Sequence, residues 1–348
     1  MSQAPQAEQK EKKNRFAVSR EVQTEFVESL AQSINAMTEK IKGGEQLAAV
    51  SAPYCPTTGL QYAGASMTRL TLASMEHGYS DDRWLTFNQL QKYKAETGNS
   101  EMKIRKGEQG VKLLRPETLS FVVDVEGKWT FLSEDEATAA LRKGAQVQRK
   151  NIFFPYTVFN ASQIENFPAK ENPAPALSPE ERYALIDNFV ASSGIKVEQG
   201  DTPNYRGETN TITMPDSKTA KNLDDYYAVK LRLAFHATAH ADRENRPMDE
   251  FEAMRGEAFS MLAGSRLGLP MPGQLGTWPQ KFEGVDNAKA FESAGDAAKM
   301  LAALEQFSRG EEPKAKWFPP KDAWPAQATG LSEVPPPVQQ QSTGPRMR

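Results

Sequence analysis

The stretch AFHATAH, residues 234–240, decides how the C-terminal half of this chain is read. It sits in a helical-looking run, 223–242. On a helix, residues four apart share a face, so His236 and His240 would present two imidazoles to one ion. A zinc hydrolase with this spacing also carries a carboxylate directly after the first histidine, to take a proton from metal-bound water. Here that position is Ala237, whose methyl group takes no proton.

A third ligand would have to come from the next helical segment, 249–266. Phe251, Met254, Ala258, Met261 and Leu262 form its apolar stripe, and Glu257 lies beside that stripe. An ionised carboxylate buried there needs a partner. Glu252 lies further round, toward solvent. Two readings stay open at this point. In one, His236, His240 and Glu257 hold a zinc ion; in the other, both histidines are neutral core residues and Glu257 is hydrogen-bonded to one of them.

Outward from this stretch, the 348 residues suffice for two domains, with 39% hydrophobic and 25% charged residues. A net charge of −3 drives the chain toward neither nucleic acid nor anionic membrane as a whole, so local patches must carry any such role. The single cysteine, Cys55, excludes an internal disulfide and a cysteine-built zinc site, and fits a reducing compartment. The first residues are polar, without the apolar core of a signal peptide, and no run is long enough to span a membrane. These features predict a cytoplasmic protein with no membrane partner.

The fold class expected is α+β, in two domains. Residues 1–18 read as a disordered arm. The domain at 19–165 starts with an amphipathic helix, on which Val22, Phe26, Leu30, Ile34, Met37 and Ile41 recur at three- and four-residue spacing, and a second helix covers 65–77. RWLTF reads as a strand and NQLQKYKAETG as a helix. KIRKGEQGVKLLRP reads as a hairpin turning near Gly107–Gly110, and LSFVVDVEGKWTFLS as another turning at Glu126-Gly127. Ser133 and Glu136 form a capping box. The proline-rich segment 166–177 is the expected linker. The second domain spans 178–310, opened by a helix at Ser178-Pro179, and 311–348 reads as a disordered tail rich in proline and glutamine.

In the first hairpin region Lys103, Arg105, Lys106, Lys112 and Arg115 outnumber Glu101 and Glu108. A basic strand pair can follow a phosphate backbone, and Trp84, Phe87 and Tyr93 offer rings on which bases could stack. The same residues also fit a solvated hairpin with Trp84 in the core.

The segment PNYRGETNTITMPDSKTAKNLDDYYAVKLRLAFHATAH, residues 203–240, resembles the zincin-like C-terminal domain of ArdC-type antirestriction proteins. Tyr205, Met214, Pro215, Tyr226, Tyr227, His236 and His240 stand at matching positions. YCPTTGLQYAGASMTRL, DRWLTFNQLQKY, KIRKGEQGVKLL and YTVFNASQIENFP are similar to successive blocks of that family's N-terminal domain, which binds single-stranded DNA. The departures fall on the chemistry. Ala237 replaces the general-base glutamate, and Ala253 replaces the glutamate that by analogy is the third ligand. The resemblance therefore implies a strand-binding protein of a plasmid or phage that protects incoming DNA, with a pseudo-peptidase domain as scaffold. Two alternatives stand beside it. One is a working metal-dependent peptidase whose base has moved to Glu244 or Glu257. The other is a protein that contacts a host restriction enzyme directly, its acidic C-terminal half imitating DNA.

Overall fold

The computed structural model describes residues 4–43, 50–170, 177–270 and 287–325. The first helix, α1 (Ala4–Lys42), lays Phe26, Leu30, Ile34 and Met37 into the core, as the apolar spacing requires. It starts well before residue 19. The predicted arm is therefore helical from Ala4, and Phe16 at its far end is buried against Phe121, Trp129 and Phe131. Alanine, glutamine, glutamate and lysine all favour helix, so a polar composition alone does not mean disorder.

Helix α2 (Gly64–His77) stops at Gly78, whose φ of 67° places it in the left-handed region. Strand β1 (Trp84–Thr86) leads into α3 (Phe87–Thr97), which Thr86 and Gln89 cap reciprocally. Strand β2 (Lys103–Ile104) follows, then two long neighbours, β3 (Val111–Val123) and β5 (Gln148–Asn160), with β4 (Trp129–Leu132) and α4 (Glu134–Arg142) between them. The sheet order is β1-β5-β3-β4, antiparallel throughout. The β3–β4 hairpin and the capping box on α4 are as expected. The hairpin predicted across 103–116 is not formed. β2 pairs instead with β6 (Ile164–Glu165), while β3 pairs with β5 and β4. The intervening loop is fixed by Gln163, which accepts from Arg105 N and donates to Gln109 O and to Glu108.

The C-terminal half runs α5 (Pro179–Ser192), β7 (Lys196–Gln199), β8 (Asn204–Arg206), β9 (Thr211–Met214), α6 (Leu223–Ala237), α7 (Glu250–Leu267) and α8 (Asn287–Ser308). β9 is central, parallel to β7 and antiparallel to β8. The fold is α+β in two domains, yet one apolar core runs through both. Leu30 and Leu70 belong to the same cluster as Phe235, Leu262 and Leu304. Helix α8 makes the join. Its alanines 290, 294, 297 and 298 are buried, it packs on both α2 and α7, and Thr68 Oγ1 donates to its Ala294 carbonyl at 2.8 Å.

Of the predicted linker, 171–176 lie outside the described residues, as do 326–348 of the predicted tail. The tail's first part is ordered structure, against expectation. Phe318 and Trp324 are buried on Phe307, and Phe318 also touches Phe189. Proline breaks helices and ladders, but it leaves two large rings free to pack on the body.

Candidate functional site

Helix α6 begins on Asn222, whose side chain accepts from Asp224 N, and it ends at Ala237. Thr238 turns its hydroxyl back onto Phe235 O at 2.7 Å. The chain then coils through a turn in which Glu244 N donates to Thr238 O and Arg246 N to Ala239 O. Thr, Asp and Asn side chains compete for backbone partners in this way, and TAHADREN contains all three. The helix predicted to reach residue 242 therefore stops early, and His240 is not on it. Its Nδ1 accepts from Asp242 N at 3.2 Å.

His236 is in the last turn of α6, and its ring rests on α7. A Cβ built at Gly256 would come within 2.4 Å of His236 Cε1 and 2.6 Å of Nε2, so only glycine lets the ring approach this closely. His236 Nδ1 lies 3.3 Å from Glu252 Oε1. Glu252, expected nearer solvent, is 1% exposed. Helix α7 is covered on more than its apolar stripe because α6, α2 and α8 pack around it. Glu257 is buried on the same helix. Among the described residues, no three His, Cys, Asp or Glu side chains are grouped so as to hold a metal ion, so the predicted set of His236, His240 and Glu257 is not brought together.

What meets Glu252 besides His236 is Arg246. Its Nε is 2.9 Å from Glu252 Oε2, and its Nη2 is 3.1 Å from Oε1 and 2.8 Å from Thr238 Oγ1. Its guanidinium carbon lies 5.1 Å from the centre of the Phe235 ring. Arg255 is 3.8 Å from Glu252 Oε2 on the other side and bonds to Asp296 of α8 at 2.9 Å. Burial alone would raise the Glu252 carboxyl, but hydrogen bonds from His236 and Arg246, with the Arg246 charge, hold it below the usual carboxylate range. Neither Glu252 nor Arg246 stood out as a site residue in the sequence. The available signal was two arginines, at 243 and 246, between the second histidine and an acidic helix start.

Of the residues expected at DNA, Trp84 is 0% exposed, paired across the sheet with Asn160 and edge-on to Tyr79, so its ring is core. Lys103, Arg105 and Lys112 are exposed, each near an acid: Glu165 at 3.0 Å, Glu108 at 2.7 Å and Glu25 at 3.1 Å. Lys106 and Arg115 are exposed and form no ion pair among the described residues. Phe87, at the start of α3, keeps an exposed ring, whereas Tyr93 is stacked on Phe167 with Arg83 over the far ring.

Comparison with known proteins follows this division. Residues 20–159 match the N-terminal domain of anti-restriction factor ArdC, and residues 184–268 match a zincin-like metallopeptidase domain. The chain thus joins an ArdC-type N-terminal domain to a zincin-like metallopeptidase domain. Two crystal structures of the antirestriction ArdC protein from the R388 plasmid, one metal-free and one Mn(II)-bound, share its fold. Each is 22% identical and covers 80% of this chain, with TM-scores of 0.51 and 0.53 over 96% and 97% of the ArdC chains. Two Escherichia coli proteins named DNA primase TraC are 30% identical over 285 residues and 28% over 277, each across 73% of this chain. The chain spans 24% and 18% of their lengths. Among its described residues no helix is long and apolar enough to cross a membrane.

Proposed function

We propose that this ArdC-type chain binds single-stranded DNA without sequence preference and so shields incoming DNA from restriction, its zincin-like half serving as a scaffold without hydrolytic chemistry. The observation that carries the first part is the exposed cation set Lys103, Arg105, Lys106, Lys112 and Arg115 on the domain that matches ArdC. Exposed ion pairs contribute only about 0.2–1 kcal/mol, so phosphates can displace Glu165, Glu108 and Glu25 from their partners. The exposed Phe87 ring is available for stacking. Trp84 is withdrawn from that role.

The scaffold reading is supported by Ala237 together with the early end of α6. One removes the proton acceptor, and the other takes His240 off the helix face. The helices are held by apolar burial, which needs no ion.

Titrating the full chain into a fluorescently labelled single strand and following anisotropy tests the proposal. Binding should weaken with salt, with a log–log slope of about −3 if about four phosphates are neutralised. The double variant Lys106→Glu, Arg115→Glu should bind roughly tenfold or more weakly. Absence of binding at low salt overturns strand binding, and metal-dependent cleavage of a protein substrate overturns the scaffold reading.

A further inference from the structure

The residues at the end of α6 do not fit a zincin metal ion, and the misfit has a specific form. In the fold, an ion would sit among side chains of α6 and α7 and supply positive charge to them. Here both sides of the His236 ring are already engaged. Nδ1 faces Glu252, and the Cε1–Nε2 side lies against α7 at Gly256. The carboxylate that faces His236 has both oxygens bound by one guanidinium.

We infer that Arg246 supplies from within the chain the positive charge that a metal ion supplies in an active zincin, making the C-terminal domain independent of metal. Three observations carry this. Arg246 is placed by the turn that follows the shortened α6, through its own N–H to Ala239 O and its Nη2 to Thr238 Oγ1, so it is part of the site's backbone design. A planar guanidinium meets both oxygens of Glu252, the pairing for which arginine is suited and a point charge is not. Charges also balance without an ion. Glu252 and Asp296 are matched by Arg246 and Arg255, all four buried or nearly so, and the more exposed Glu244, 3.7 Å from Arg246, and Lys299, 2.7 Å from Asp296, add one charge of each sign.

The test uses the full chain purified without chelator, and it is independent of strand binding. Metal content is measured by mass spectrometry, and thermal midpoints are recorded with EDTA, with added Mn(II) and with neither. The native chain should carry no stoichiometric metal, and its midpoint should not move. Arg246→Ala should lower the midpoint by roughly 5 °C or more, because Glu252 is left buried and uncompensated. Adding Glu252→Gln to that variant should recover part of the loss, since it removes the orphaned charge. If Arg246→Ala does not fold, Arg246→Lys, which keeps the charge and loses the fork, should give a smaller drop. One equivalent of metal in the native chain, lost in His236→Ala, overturns the inference. So does an Arg246→Ala midpoint equal to that of the native chain.

Discussion

Gly256 and Glu252 fix the position of the His236 ring. Replacing Gly256 by alanine would put a methyl group within 2.4 Å of the imidazole, and either the ring or α7 must shift. Gly256→Ala should therefore destabilise by about 1–3 kcal/mol, read from the urea midpoint, although alanine is the better helix former. Glu252 has a pH signature. Its carboxyl is held below its unfolded value, so its contribution to stability is complete above the unfolded pKa of about 4.3 and is lost as pH falls through the lower folded value. The stability gap between the native chain and Glu252→Gln should be widest near neutrality and should narrow as pH falls below that range. A constant gap in urea midpoints down to acid pH would contradict this. At this scale the sequence made plain that position 237 carries no proton acceptor. It concealed Glu252 and Arg246, because their pairing depends on where α6 ends and on what surrounds α7.

Helix and strand starts were readable where a local signal exists. Ser133 with Glu136 and Ser178 with Glu181 form capping boxes in the fold, and Gly78 stops α2. Elements that depend on distant partners were not readable. β2 pairs with residues about sixty positions later, which nothing in KIRKGEQGVKLLRP announces. The start of α1 is another case, because Phe16 ties the helix to the sheet and one ring gives no periodicity. Phe16→Ala should cost about 3 kcal/mol by opening the cluster with Phe121, Trp129 and Phe131. An unchanged urea midpoint would mean that the start of α1 does not hold to the sheet in solution.

Across the whole molecule, two domains matched by separate families share one core, joined by α8 and closed by Phe318 and Trp324. The continuity was hidden from a sequence reading, which placed a boundary at the prolines of 166–177 and a tail from 311. Ending the chain after residue 310 should lower the thermal midpoint, because Phe307 and Phe189 lose the rings that cover them. The two halves should also unfold together, so that near-ultraviolet circular dichroism, which reports aromatic packing, and far-ultraviolet circular dichroism show one coincident transition. Two separated transitions would mean that α8 couples the halves weakly.

The division of labour between the halves is tested most directly by the affinity of the full chain for a labelled single strand, measured with and without EDTA and again for His236→Ala. The expected result is binding whose dissociation constant agrees within about twofold under all three conditions, since the proposed phosphate contacts lie on the first domain. Loss of binding on chelation, or in the histidine variant, would show that the zincin-like half works through a metal and is no inert scaffold.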